Sequence, residues 1–286
     1  MDFLRDVMQY EFLQKALFTS VMVGIICGVI GCFIILRGMA LMGDAISHAV
    51  LPGVAVSYLL DINYFIGAVV TGVLTSLGIG YVSQNSRIKN DASIGIVFTA
   101  MFALGIILIS TAQSTTNLNN ILFGNVLAVR SGDMWMTFAI GVVIIAAVYL
   151  FYKELLISSF DPTMSAAYGL PNQLIHYFLM TLLTLVTVAS LQTVGIVLVV
   201  AMLITPAATA YLLTDRLWVM IYLSALFGVI SSIIGLYFSH KFNLASGAVI
   251  VLVATILFGV AFVFSPKQGI LWRSLKSRQR KTATHS

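Results

Sequence analysis

Long apolar runs constrain the fold of this chain more than any other feature. Nine candidate runs are separated by charged or turn-forming residues, and a helix that crosses a bilayer needs about 20 apolar residues. The runs cover residues 17–36, 41–60, 65–82, 93–110, 134–152, 174–191, 194–213, 217–238 and 246–264. Hydrophobic residues make up 60% of the chain and charged residues 9%, whereas soluble domains carry about 25% charged residues. The sequence therefore predicts an all-α, polytopic transmembrane helical bundle of eight or nine spans.

The distribution of basic residues predicts the orientation of the bundle. Six of the 15 lysines and arginines follow Pro266, so residues 267–286 are read as a basic cytoplasmic tail behind a transmembrane domain at 1–266. Alternating backwards from this tail through nine spans puts eleven basic residues inside and four outside. The positive charge is thus a topology signal, and no nucleic-acid partner is expected. The segment 111–133 is too long for a turn, and its apolar centre at 118–129 could form an interfacial or re-entrant helix.

Two ionisable residues interrupt the second run, in the segment 38–53, GMALMGDAISHAVLPG. An aspartate at the centre of a membrane helix costs about 2.5–3.5 kcal/mol on insertion scales, so Asp44 marks a functional-site hypothesis. His48 follows four residues later, which places the two side chains about 40° apart around a helix axis and on one face. On the nine-span topology both lie in the inner half to the middle of the membrane.

Two interpretations of Asp44 and His48 stay open at this point. They could form a hydrogen-bonded pair that fixes helix packing, because buried polar groups need partners. They could instead bind a divalent cation, since carboxylate oxygen and imidazole nitrogen suit metals such as Mn²⁺, Fe²⁺ and Zn²⁺. Two ligands are too few for a stable site, but a second copy related by a two-fold axis would supply two more. The second interpretation therefore predicts a transit site shared by a dimer.

Two further segments carry predictions. The inward-facing loop 153–173 contains Asp161 and Pro162, a helix-start signal, so a short helix is expected over 162–168, ended by Gly169. Such a helix could dock a partner or could be a simple linker turn. In the seventh run, Pro206 removes one backbone hydrogen bond and predicts a kink, which would serve either packing or the wall of a pathway.

Three stretches resemble a known family. They are RGMALMGDAISHAVLPGVA (37–55), FDPTMSAAYGL (160–170) and VGIVLVVAMLITPAATAYLL (194–213). From about residue 11 to 266 the chain resembles the permease subunits of bacterial ABC importers for manganese, zinc and iron(II), and looks most similar to manganese permeases of Gram-positive bacteria. The sequence has no GxxxxGK[ST] phosphate loop, which agrees with ATP hydrolysis by a separate chain.

The resemblance implies a transport subunit of the cell membrane, not an enzyme, that works as a homodimer. It implies that Asp44 and His48 coordinate the transported ion, with Mn²⁺ as the expected cargo and with no permanently bound cofactor. It also implies that a cytoplasmic ATP-binding subunit docks on the coupling loop, and that an extracellular metal-binding lipoprotein delivers the ion. The coupling residues would be Phe160, Asp161, Pro162, Ala166 and Gly169.

Alternatives of two kinds stand beside this interpretation. Within transport, the cargo could be Zn²⁺ or Fe²⁺, or a larger chelate carried by a related fold. Outside transport, Asp44 and His48 could serve an intramembrane metalloenzyme, but the sequence offers neither a third ligand nor a general base within the spans. A membrane scaffold without transport is a further alternative.

Overall fold

Helices account for almost all of the residues that the structure, a computed structural model, describes: 2–87, 89–111 and 126–265. In chain order these are α1 Asp2–Gln9, α2 Glu11–Leu36, α3 Met42–Ala49, α4 Leu51–Leu59, α5 Tyr64–Asn85, α6 Asn90–Thr111, α7 Ser131–Leu150, α8 Tyr152–Phe160, α9 Pro162–Ala167, α10 Asn172–Val194, α11 Ile196–Leu213, α12 Leu217–Phe242 and α13 Ser246–Phe264, with a 3-10 turn at Val126–Ala128. Eight of these helices are long and apolar enough to cross a membrane. The predicted all-α transmembrane bundle is confirmed.

The second predicted span differs from the expectation of one continuous helix. Residues 41–60 form two short helices, α3 and α4, that are interrupted at Val50. Pro52 lies just past this interruption, and it has no N–H to donate to the carbonyl of residue 48 one turn earlier. The proline therefore accounts for the break, which falls at Val50, two residues after His48.

Contacts at the two ends of α2 show how often the chain crosses the bundle. At one end Arg37 bonds to Ser158, and at the other end, just before α2, Asp6 lies 3.4 Å from His240. The 26 residues of α2 span about 39 Å between these ends. Because Arg37 and Ser158 meet, the chain between them makes an even number of crossings. Among the described segments, α5, α6 and α7 are each long and apolar enough to cross once, and α3 and α4 together are the segment that makes this number even.

Small residues let the central helices approach closely. Gly24 on α2 faces the backbone of Gly228 on α12, with no room for a methyl group between them. The Ser224 hydroxyl donates to the Gly28 carbonyl at 2.9 Å, and the Ser232 hydroxyl donates to the Ser20 carbonyl at the same distance. Small residues and interhelical hydrogen bonds are the usual means of helix association in lipid. They hold the middle of α2, the helix that leads into the 38–53 segment, against α12 in the centre of the bundle.

The short helices include one that the sequence predicted and two that it did not. The helix expected over 162–168 is present as α9, ending before Gly169, which takes the left-handed φ of +74° that glycine tolerates. The first part of loop 153–173 is helical as α8, and α1 precedes the first span. Most of the predicted interfacial segment 118–129, and the whole tail 267–286, lie outside the described residues.

Candidate functional site

A tight turn connects α2 to the segment that carries Asp44 and His48. Gly38 adopts a φ of +66°, its N–H donates to the Ile35 carbonyl at 3.1 Å, and the N–H of Met39 donates to the Ile34 carbonyl at 3.0 Å. These two bonds form a Schellman motif, in which a residue with positive φ ends the helix and satisfies its last carbonyls. The turn therefore fixes the start of α3 relative to the end of α2.

Asp44 and His48 lie on one face of α3, as their spacing predicted. The Oδ1 atom of Asp44 is 3.5 Å from Nε2 of His48. Oxygen and nitrogen ligands bind a divalent transition metal at about 2.1 Å, so two ligands of one ion stand about 3.0–3.5 Å apart. The pair could thus share one cation with little movement of either side chain.

Aromatic residues of α6 position the imidazole at mid-membrane depth. The ring of His48 packs edge-on against Phe102 at 5.5 Å and lies 5.9 Å from the ring of Phe98, both near the middle of the 22-residue α6. Its Nδ1 atom is buried and has no hydrogen-bond partner in the described part of the chain, whereas Nε2 points toward Asp44. The two phenylalanines were not singled out from the sequence, although an i, i+4 aromatic pair in an apolar run was a visible signal.

The opposite face of α3 is packed into the bundle. Gly43 contacts the side chain of Leu203 on α11, and Ile46 is fully buried. On the other face Leu41 is 56% exposed, and the side chains of Asp44 and His48 are 48% and 24% exposed. A polar pair at this depth with an open face is costly against lipid, which indicates that something other than lipid covers it.

One chain supplies too few ligands to enclose a cation. Among the residues that the structure describes, no group of three or more histidine, cysteine, aspartate or glutamate side chains could hold a metal ion. Divalent transition metals take four to six ligands. The geometry of a single copy therefore agrees with a site completed by other ligands.

The predicted coupling residues surround an exposed, capped helix. The carboxylate of Asp161 accepts hydrogen bonds from the backbone N–H groups of Thr163 and Met164 and from the Thr163 hydroxyl at 2.6 Å. The Thr163 hydroxyl is the main cause that holds the pKa of Asp161 below its ordinary value, and the Met164 amide adds to it. Phe160, Met164 and Tyr168 are each about half exposed or more. Such an apolar patch on the end of a bundle is suited to a protein partner.

Pro206 lies inside α11, which continues through it without interruption, and its side chain is buried. Of the two prolines Pro52 and Pro206, it is Pro52 that coincides with a break in a helix. The role of Pro206 as a kink in a transport pathway stays a prediction.

Arg37 is a polar centre that the sequence analysis treated only as a topology signal. Its Nη2 donates to Ser158 Oγ at 2.9 Å and its Nε to Ser159 Oγ at 3.1 Å, both on α8. Its Nη1 lies 3.4 Å from Nδ1 of His176 on α10. A guanidinium has no acceptor atom, so the imidazole Nδ1 accepts. Local sequence pattern gave no sign of these partners, since they are more than 120 residues away in the chain.

Comparisons with known proteins agree with this architecture over nearly the whole chain. The ABC 3 transport family matches residues 9–265. The chain is 70% identical to the manganese transport system membrane protein MntC of Listeria monocytogenes, over 94% of this chain and 96% of that protein. It is 63% identical to MntC of Halalkalibacterium halodurans, over 98% of this chain and 96% of that protein. The solved structure of PsaBC from Streptococcus pneumoniae in complex with Fab contains a chain 51% identical, with a TM-score of 0.86, covering 97% of this chain and 99% of that one.

Proposed function

The chain belongs to the ABC 3 transport family, and from this premise we propose that it is the membrane-spanning subunit of an ATP-driven Mn²⁺ importer. The family resemblance drawn from the three sequence motifs is thereby confirmed. The protein is a multi-pass bacterial membrane protein and a transport component, not an enzyme. Manganese is proposed as the cargo because highly similar relatives are named as manganese transport proteins.

The proposal depends most on one observation: Asp44 and His48 lie together on an open face of α3, beside the middle of the long apolar helix α6. Two protein ligands from one copy favour brief coordination during transit over permanent binding. In a homodimer with its two-fold axis near α3, two aspartates and two histidines would surround the ion. We propose this shared arrangement as the transport site.

The other partners follow from the chemistry that the chain lacks. Because the sequence has no phosphate-binding loop, ATP hydrolysis requires a separate cytoplasmic subunit, for which the exposed residues around α9 are the proposed docking surface. Phe160, Asp161, Pro162, Ala166 and Gly169 are the proposed coupling residues. An extracellular metal-binding lipoprotein would deliver the ion to the opposite side.

Zn²⁺ is the second candidate cargo, and the donor set favours it on affinity. By the Irving–Williams order a site of carboxylate and imidazole ligands holds Zn²⁺ more tightly than Mn²⁺. Import of Mn²⁺ would therefore depend on site geometry, on the delivery protein, or on metal supply. Fe²⁺ lies between the two in this order and stays a third candidate.

The test is uptake of radiolabelled Mn²⁺ by cells that carry Asp44→Ala or His48→Ala, with Zn²⁺ and Fe²⁺ as competitors. Since loss of a group that only orients a metal ligand already costs about 10–100-fold, loss of a direct ligand should lower uptake by more than about 100-fold. Both variants should still reach the membrane and bind the ATP-binding subunit. Asp91→Ala, which removes an exposed carboxylate from the start of α6, is the matched control and should import normally. Normal uptake in both site variants would refute the site.

A further inference from the structure

Arg37 bridges three structural elements at the cytoplasmic end of the bundle. It is the C-cap residue of α2, and its guanidinium donates to Ser158 and Ser159 near the end of α8 and to His176 near the start of α10. Three of its nitrogen atoms are each engaged by a different side chain. The planar guanidinium can bond to several acceptors at once, which a lysine ammonium cannot reproduce with the same geometry.

Arg37 forms no ion pair with a carboxylate in the described part of the chain. None of the ion pairs among the described residues includes it, and its acceptors are two hydroxyls and an imidazole. Burial lowers the pKa of the Arg37 guanidinium to about 10, which still leaves it protonated at neutral pH. Partly burying a cation without a carboxylate is costly. Stability alone is therefore a poor explanation for an arginine at this position.

The two serines that Arg37 contacts adjoin α9, the proposed coupling helix. Ser158 and Ser159 occupy the last turn of α8, and Asp161, which caps α9, follows two residues later. The N–H of Asp161 donates to the Ile157 carbonyl, so the end of α8 and the cap of α9 are joined by the backbone. A displacement of α9 would therefore also move Ser158 and Ser159.

Arg37 is also close along the chain to the proposed metal ligands. The Schellman turn at Gly38 and Met39 joins Arg37 to α3 through only a few residues, and the N–H of Met42 donates to the Met39 carbonyl at 3.0 Å. Asp44 lies in the first turn of α3. Arg37 and Asp44 are thus joined by a short backbone path that these hydrogen bonds hold in place.

We propose that Arg37 is the positioning residue that couples movement of the α8–α9 segment to the Asp44–His48 face of α3. The inference rests on the proposed function, because it assumes that a cytoplasmic ATP-binding subunit moves α9. Arg37 does not touch the ion. It links the docking segment to the ligands, so that closure of the ATP-binding subunits changes the position of α3.

The test measures the ratio of Mn²⁺ transported to phosphate released. The complete complex, with its ATP-binding subunit and delivery protein, is reconstituted in proteoliposomes. Arg37→Gln should lower this ratio by roughly 5–150-fold, the range of coupling between linked sites, while the ATP-binding subunit still co-purifies. Arg37→Lys should restore only part of the ratio of transport to hydrolysis. Lysine keeps the positive charge but lacks the planar guanidinium that bonds to several acceptors at once. Arg216→Gln, an exposed arginine at the start of α12, is the control and should leave the ratio unchanged.

A second variant keeps the test decisive if Arg37→Gln does not assemble. The double substitution of Ser158→Ala and Ser159→Ala removes two acceptors and leaves the arginine in place. It should lower the ratio in the same direction, and adding Arg37→Gln to it should have less than the additive effect. An unchanged ratio in the serine variant, or equal loss of transport and hydrolysis in both variants, overturns the proposal. A wild-type complex that imports no Mn²⁺ would instead refute the proposed function itself.

Discussion

At the residue scale, close approach of two glycines positions the helix that follows the ligands. Gly53 on α4 faces the backbone carbonyl of Gly67 on α5, and there is no space for a side chain between them. The hydroxyl of Thr71 also reaches this contact, where it donates to the Gly67 carbonyl at 2.8 Å. Because α4 begins at Leu51, three residues after His48, its packing against α5 helps to hold the ligand face.

We expect Gly53→Ala to destabilise the protein by about 1–3 kcal/mol, the usual cost of adding atoms to a well-packed interior. The added Cβ would overlap the carbonyl group of Gly67, which is backbone and cannot rotate away. Thermal unfolding of the purified protein in detergent measures the effect. Gly95→Ala is the matched control, since its Cβ meets nothing within 4 Å and alanine favours the interior of a helix. An unfolding temperature for Gly53→Ala equal to that of the control would contradict the packing argument.

At the scale of single elements, α9 is a helix of six residues that depends on its ends. Asp161 satisfies two backbone N–H groups at its start, and Gly169 takes up the positive φ beyond its end. A helix this short has little cooperative stability of its own. Its order in the free permease therefore depends on the cap and on its junction with α8.

Substitution of the cap should separate hydrogen bonding from charge. Asparagine caps helices about as well as aspartate, whereas alanine cannot cap, so Asp161→Ala should weaken binding of the ATP-binding subunit and Asp161→Asn should largely preserve it. Co-purification of the two subunits at graded salt concentrations measures this difference. Equal binding by the two variants would show that the cap does not order the docking surface.

The same carboxylate predicts the direction of a pH effect on α9. Its pKa is lowered in the folded chain, first by the Thr163 hydroxyl and then by the Met164 amide. Its stabilising contribution is therefore complete above the ordinary pKa of aspartate and is lost as the pH falls through the lowered value. Binding of the ATP-binding subunit should weaken on acidification less in Asp161→Asn than in the wild type.

At the scale of the whole molecule, the open face of α3 is the feature that a single copy leaves incomplete. Leu41, Asp44 and His48 follow one another at i, i+3 and i+7, so they share this face, and all three are at least partly exposed. The two native cysteines, Cys27 and Cys32, are buried and unpaired with each other. A single introduced thiol can therefore report whether two such faces meet.

We expect Leu41→Cys to form a disulfide-linked dimer in membranes treated with a mild oxidant. A two-fold axis near α3 would bring the two copies of residue 41 close together, and a disulfide requires Cα atoms within about 7 Å. Ile256→Cys, on the exposed side of α13, is the control and should remain monomeric on a denaturing gel. Cross-linking of the control but not of Leu41→Cys would place the dimer contact elsewhere and would remove the basis for a shared site.

Much of this structure could be predicted from the sequence, because a segment that spans a lipid bilayer can adopt few kinds of secondary structure. Backbone groups in a membrane must be bonded within their own helix, so apolar runs such as 217–238 could be assigned to helices directly. The spacing of Asp44 and His48 placed both on one face, and the Asp161–Pro162 pair marked the start of α9 correctly. These are local features, determined by residues within one or two turns of each other.

The tertiary structure decided what local pattern could not. The sequence predicted one continuous helix over 41–60, whereas the structure interrupts it at Val50 beside Pro52, and α11 continues through Pro206. The kink proposed at Pro206 stays a prediction. Which proline a helix accommodates depends on the packing around it and not on the residue alone. The partners of Arg37 and the open face of α3 likewise arise from helices far apart in the chain. Their physical origin is contact between distant segments, which hydrophobic periodicity does not encode.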